Sequence, residues 1–363
     1  MSLALEIGAA FGKTVFIVMF ALSLGGLLTW VERKQSALMQ DRIGANRASI
    51  FGLRLWGLFH IISDAVKMFT KEDFIPDTRH KLIHALAPVL AITFVLLSFA
   101  VIPFGNAIII GGYTISLQVA NLNVGILFVF AMMSVAVYGV VLAGWSSNNN
   151  YSLLGGLRAS AQMISYEITI GLTLVGIILI FQTLSLQEMV HAQGGLLFGF
   201  LPRWGVFLQP LGLILFLTAG IAETKRIPFD IPEGESEIIG FFVEYSSMKF
   251  GMFMFTDFIE TVLISSLVTT FFFGGWQVPY LADTGFVFPW GGTWNLGMWV
   301  VESMRVLSFI VKVAFFCWFL LLVRWTLPRF RFDQLMNLGW KILLPLSLIN
   351  TMVTAVLVLW LGK

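Results

Sequence analysis

The sequence predicts an all-α protein, a polytopic transmembrane helical bundle of about eight spans, and three observations carry that prediction. Hydrophobic residues make up 58% of the chain and charged residues 12%, about half the charged share of a soluble domain, so lipid must be its main solvent. Apolar runs of spanning length recur along the chain. The basic residues gather in a few connections rather than being spread evenly.

The runs lie near residues 12–31, 83–104, 123–145, 159–181, 205–222, 239–273, 303–325 and 341–361. They are expected to build one integral membrane domain over 1–363, with no visible internal repeat or low-complexity linker. The first run lacks a basic leader and a small-residue cleavage site, so it is expected to stay as a span. The connection after it holds Arg33, Lys34, Arg42, Arg47, Arg54, Lys67, Lys71, Arg79 and Lys81, whereas the connection after the second run holds no basic residue. The first connection is therefore expected in the cytoplasm. Alternation then places Arg158, Lys225, Arg226, Arg324, Arg329, Arg331 and Lys341 on the same side, with both termini opposite.

Within the first connection, residues 51–69 are mostly apolar but collect His60, Asp64 and Lys67 within about 60° of a helical wheel. This predicts an amphipathic interfacial helix. The sixth run, about 35 residues at 1.5 Å rise, would exceed ~50 Å against a core of ~30 Å, so it is read as one long, tilted helix.

Several function classes are excluded. The net charge of +2 comes from clustered topology signals, so no nucleic-acid footprint is present. The single cysteine, Cys317, sits in an apolar run and permits neither an intrachain disulfide nor an iron-sulfur cluster built from this chain's thiolates. His60, His80, His84 and His191 are expected in loops or interfacial segments, which gives no support to transmembrane haem ligation, and His80 and His84 lack a third ligand for a metal. No Walker or dinucleotide motif occurs, so this chain either receives electrons from elsewhere or does not handle them at all.

Ionisable groups within spans are expensive and ask for a partner, a water-filled cavity or a function. Glu167 lies nine residues past Arg158, about 13 Å deeper along the fourth span. Lys249, Asp257 and Glu260 fall within about 80° on the sixth helix, a charged stripe from which Glu244 points away. Lys312 stands midway along the seventh span, on a face like that of Arg305, and is expected to complement these carboxylates. Such a set suits proton transfer, because burial and neighbouring charge move carboxylates toward working pH. The stretch AETKRIPFDIPEGESE at 222–237 adds Glu223, Asp230, Glu233, Glu235 and Glu237 around Pro228 and Pro232, which oppose continuous helix and predict a shaped acidic loop.

Six segments together resemble the family of the H subunits of NADH-quinone oxidoreductase (complex I; the mitochondrial subunit one family). They are WVERKQSALMQDRIGANR at 30–47, SDAVKMFTKED at 63–73, GWSSNNNYSLLGGLRASAQMISYE at 144–167, AETKRIPFDIPEGESE at 222–237, VEYSSMKFGMF at 243–253 and RFRFDQLMNLGWKILLPLSLIN at 329–350. The resemblance implies a respiratory-chain subunit that forms a quinone chamber with peripheral-arm B-, D- and I-like subunits. It also implies A-, J- and K-like neighbours in the membrane arm. The substrate would be ubiquinone or menaquinone, with FMN and iron-sulfur clusters in partner subunits and no catalytic or metal-binding residue on this chain. By the same resemblance, Arg33, Asp64, Ala65, Lys67, Arg226 and Phe229 line or support the chamber. Glu167, Glu223, Asp230, Glu233, Glu235, Glu237, Glu244 and Asp257 form a proton-linked acidic cluster, and Lys249, Glu260 and Lys312 are further intramembrane charges.

The chain departs from the family pattern at Ala45, which stands where a proline is usual, at Asp257, where many relatives have Glu, and at Ser134, a site that is Glu in some. The stretch GWSSNNNYSLLGGLR favours a bacterial plasma membrane, which would make the termini periplasmic. Two alternatives share parts of this pattern: a membrane subunit of an energy-converting hydrogenase and a stand-alone secondary transporter.

Overall fold

The computed structural model describes residues 3–74, 76, 80–110, 113–234, 237–238 and 240–361. Glu235 and Arg79, both singled out from the sequence, lie outside the described residues. Helices dominate: α1 (Leu3–Met39), α2 (Phe59–Thr70), α3 (Lys81–Ser98), α4 (Gly125–Ser146), α5 (Asn150–Phe181), α6 (Leu186–Ala192), α7 (Gly205–Leu208), α8 (Pro210–Glu223), α9 (Ser247–Phe272), α10 (Met298–Thr326), α11 (Phe332–Asn337) and α12 (Leu344–Leu361). A π-helical segment, Leu338–Leu343, joins α11 to α12 and makes one continuous apolar crossing of the two.

Seven helices among the described residues are long and apolar enough to cross a membrane. The fifth expected span is the exception. Its apolar stretch is broken at Gln209, where φ −139° and ψ 66° interrupt the helix before Pro210, leaving the 14-residue α8, ~21 Å long and short of a ~30 Å core. The sixth expected span is also corrected. Gly240 at φ 130° and the turns that follow delay the helix start to Ser247, so α9 is a 26-residue helix and needs no steep tilt. Conversely, α5 begins earlier than expected, because Asn149 caps it by accepting the Tyr151 N–H at 3.0 Å.

Helix α9 is the hub, packed by α1, α2, α3, α8 and α10, while α5 packs on α4, α8 and α12. Close approach of α3 and α4 depends on Gly139, where an added Cβ would stand 2.8 Å from Ala91 N. Short hairpins β1 (Ile108–Ile110) with β2 (Tyr113–Ile115) and β3 (Leu196–Leu197) with β4 (Leu201–Pro202), and the antiparallel set β5 (Leu281–Ala282), β6 (Gly285–Val287) and β7 (Thr293–Asn295), fill the connections at one end. The described parts of the acidic loop, 223–234, and of the first connection, 40–74, occupy the other end. There α2 buries none of its side chains and leaves Ile62, Val66 and Phe69 exposed, the face expected of an interfacial helix.

Candidate functional site

A cavity of about 400 Å³ opens beside α1 and α2, lined by Glu32, Arg33, Ser36, Arg42, Ala45, His60 and Trp325. Arg33, from α1, pairs with Asp64 on α2 at 2.5 Å, and Lys67 stands 3.9 Å from the same carboxylate. The 42–60 connection closes against α2 through Ala48, whose N–H donates to His60 Nε2 at 3.3 Å. Ala45 forms part of the wall, and Gly57 at φ 90° is required there, since a Cβ would meet Ala45 O at 2.0 Å. Asp64 and Lys67 therefore support a wall, and Ala65 is exposed beside it.

Glu32 joins this cavity to the acidic loop. Its two oxygens accept from Arg226 at 2.7 Å and Arg324 at 2.5 Å, and the Arg226 guanidinium lies 3.9 Å over the Phe258 ring. Phe229 is buried, stacked on Phe330 at 5.4 Å and set against Tyr166, so it holds the loop instead of facing the cavity. Gln162 from α5 fixes both ends of the turn by donating to Ala222 O at 2.7 Å and Phe229 O at 2.8 Å. Within it the Ile227–Pro228 peptide is cis.

One residue before Arg226, Lys225 turns the other way at φ 53° into the bundle, only 2% exposed. Its ammonium stands 2.9 Å from Asp257 and 3.5 Å from Glu260. Burial alone would discharge this lysine, but Asp257 and Glu260 outweigh burial and move its pKa up. Glu260 thus belongs to the core of the cluster rather than to a separate set. Glu223 is buried close by, and a cavity of about 10 Å³ between Glu223 and Glu260 is walled by Val95, Met133, Ala136, Met163, Leu263 and Ile264. Glu233 is raised well above the ordinary carboxylate range by burial first and Asp257 second. Asp230 is pushed up to about 6 by burial, which prevails over its 2.8 Å pair with Arg329.

The remaining acids separate from this centre. Glu167, midway along α5, is half-buried and hydrogen-bonded to Ser134 on α4. Glu237 is exposed and pairs with Arg158 at 2.8 Å. Glu244 accepts from Asn149 at 2.7 Å and lines a polar cleft of about 320 Å³ with Asn148 and Tyr151.

Lys249, Asp257 and Glu260 share one side of the continuous helix α9 as expected, but their partners come from other elements. Lys249, in the first turn of the helix, reaches Asp73 at 2.6 Å, while Asp257 and Glu260 turn inward to Lys225. Among the described residues Lys312 does not complement a carboxylate. Its three N–H groups donate to Phe273 O, Gly275 O and Gln277 O at 2.7–3.0 Å, and it stands 4.6 Å over Trp204. Arg305 is taken by Glu302 and Asp283, each at 2.6 Å. Sequence reasoning missed Glu32, His60, Arg324 and Trp325 as cavity or bridge residues. The one available signal was an acid inside the basic run WVERK, where a carboxylate among cations asks for a pairing role.

Comparison with known proteins shows the family of this chain. The NADH dehydrogenase family model matches residues 12–355. The H subunit of an NADH-quinone oxidoreductase from Cytophaga hutchinsonii is 42% identical, with 96% of each chain covered. One from Geobacter sulfurreducens is 44% identical, with 97% of each covered, and one from Flavobacterium johnsoniae is 40% identical, covering 96% of this chain and 95% of its own. A match across nearly every helix at this identity shows that the chain is a multi-pass membrane subunit of complex I and belongs to the NADH dehydrogenase family, among the H subunits of NADH-quinone oxidoreductase.

Proposed function

We propose that this subunit, a single membrane domain over 1–363, forms a quinone chamber with peripheral-arm subunits and couples quinone reduction to proton translocation. The observation that carries the reading is the pair of consecutive residues Lys225 and Arg226. Arg226 is bound to Glu32 on the cavity wall, and Lys225 is bound to the buried Asp257 and Glu260. A change of charge at the cavity therefore acts one residue away from the carboxylates.

An apolar quinone tail stays in lipid while its polar head enters at the interfacial level, where α2 lies beside the cavity. Reduction of the head draws protons and alters the field at Arg33, His60 and Glu32. The 223–234 loop is the two-state element: shifting Arg226 toward or away from Glu32 shifts Lys225 against Asp257 and Glu260. Weakening the lysine contact favours proton uptake by the carboxylates. The small cavity between Glu223 and Glu260 has the size of one water, the bridge that proton hand-over between two acids needs. Glu167 then carries the proton toward the α4–α5 face.

In this arrangement the B-, D- and I-like subunits cover the cavity end, FMN and iron-sulfur clusters lie in partner subunits, and the A-, J- and K-like subunits lie along the membrane arm. Ubiquinone or menaquinone is the substrate. The cavity end faces the cytoplasm of a bacterium, with both termini periplasmic, because the two short helices α7 and α8 together still carry the chain from the β3–β4 end to the acidic loop and make the eighth crossing.

The test is purification through a tag on this chain, with NADH-dependent quinone reduction, its inhibitor sensitivity and protons pumped per quinone all measured in proteoliposomes. Inhibitor-sensitive reduction by the purified assembly is expected, and Glu223→Gln and Glu167→Gln should each lower the pumping ratio. Normal pumping in both variants would overturn the proton assignment, and activity insensitive to quinone-site inhibitors would overturn the chamber.

A further inference from the structure

Glu167 is the proton carrier proposed for this subunit, and the side chain that touches it has so far no role. Ser134 Oγ lies within hydrogen-bond reach of Glu167 Oε1, and it also stands 3.0 Å from Phe130 O, one turn back on α4. A hydroxyl has one proton to donate and two lone pairs to accept with, so Ser134 cannot donate to both oxygens at once. Two arrangements satisfy the site. With Glu167 ionised, the Ser134 O–H donates to the carboxylate. With Glu167 protonated, its own O–H donates to Ser134 Oγ, and the serine proton turns to Phe130 O.

We propose that Ser134 is the positioning residue for Glu167: its hydroxyl rotates between Phe130 O and the carboxylate, so that Glu167 keeps a hydrogen-bond partner in both protonation states. This role rests on the proton-carrying function proposed for Glu167. Rotation about one C–O bond completes the change, with no movement of helix or side chain. Ser134 stands on the exposed side of α4 and Glu167 is half-buried, and within the apolar depth of a membrane a polar group that loses its partner there is costly.

The charged neighbours do not supply the same service. On α5, Arg158 is engaged by Glu237, and the Tyr166 O–H donates to Leu335 O. From α8, Glu223 repels the Glu167 charge, and Glu260 on α9 lies across the small cavity from Glu223. Tyr138, on α4 itself, and Lys341, in the π segment, are exposed. Ser134 is thus the hydrogen-bond partner of the Glu167 carboxylate among the described residues.

Threonine and valine have nearly the same shape and differ in the hydroxyl, which makes Ser134→Thr and Ser134→Val the informative pair. Protons pumped per quinone reduced would be followed against pH for the whole complex in proteoliposomes. Loss of the donor disfavours the ionised acid, so Ser134→Val should move the pumping profile to higher pH by about one unit, a tenfold change in proton activity, while Ser134→Thr stays with the parent. Equal profiles for valine and threonine, whether both shifted or both unshifted, would overturn the proposal and leave Ser134 as a packing residue. Glu167→Gln, measured alongside, separates the two levels: unimpaired pumping there removes the carrier role itself, whereas impaired pumping with equal serine variants removes only the role of Ser134.

Discussion

Glu32 and Arg226, 194 residues apart in sequence, meet at 2.7 Å, and the second oxygen of Glu32 holds Arg324 at 2.5 Å. One carboxylate thus ties α1 to both the acidic loop and the end of α10 at the edge of the cavity. Replacing it with glutamine keeps the shape but leaves two partly buried guanidinium groups facing an uncharged amide. Glu32→Gln should cost ~2–4 kcal/mol and raise the KM for quinone more than it lowers kcat. Steady-state quinone titrations on purified complex, together with its Tm, check both parts.

Among the described residues, Lys225 is the cation paired with both Asp257 and Glu260 in the bundle. Lys225→Met leaves two carboxylates buried against each other and should destabilise by ~3–5 kcal/mol. Combining it with Asp257→Asn should recover part of the loss, since the second change removes one of the stranded charges. Thermal melting of the detergent-solubilised assembly, carried through the double-mutant cycle, measures the coupling.

Asp230 gives the loop a pH dependence of definite sign. Its pKa rises from 3.8 to about 6 in the folded loop because burial outweighs the pull of Arg329 and Arg324. A carboxyl whose pKa is raised on folding favours the folded loop below its ordinary value, and that contribution fades as pH climbs through about 6. The size is at most ~3 kcal/mol. Amide exchange across 223–234, corrected for intrinsic rate, should show more frequent opening as pH rises from about 4 to about 7. In Asp230→Asn the rise over the same window should be smaller, the remainder coming from Glu233, which burial also raises.

Gly139 lets α4 lie against α3. A methyl group there would press on Ala91 N and Cβ, both 2.8 Å away, and a helix backbone yields far less than a side chain. Gly139→Ala should therefore lower stability by ~1–3 kcal/mol, read as a loss of Tm. The same change at Gly171, which has nothing within 4 Å, serves as the control and should be near neutral.

Lys312 closes the end of α9 through the three carbonyls that follow the helix. Lys312→Met should leave those acceptors without donors, at ~1–3 kcal/mol for a buried group, and speed amide exchange around 273–277. An unchanged exchange pattern would show that other donors replace it.

Much of the fold was legible from composition and period. Spans, the interfacial helix and the end at which charge gathers follow from transfer energies that act on each segment alone, so α3, α4 and α10 stand close to where hydropathy put them. The site was harder. A helical wheel set Lys249 beside Asp257 and Glu260, but it could not show that Asp73 would take the lysine and Lys225 the acids, because those partners come from other parts of the chain. The break at Gln209 and the late start of α9 escaped hydropathy for a related reason: a run of apolar residues reports its affinity for lipid and not its backbone angles.

By itself, the sequence determined a bundle of apolar helices in a membrane, with its basic residues at one end and a proline-marked acidic loop among them, since burial cost is a property of each side chain. Only the tertiary structure decided which charges meet. Lys225 and Arg226 differ by one position, and the left-handed turn at Lys225 sends one charge to Asp257 and Glu260 and the other to Glu32. Ion pairs act over a few ångströms, and only the packed helices bring residues nearly two hundred positions apart within that range.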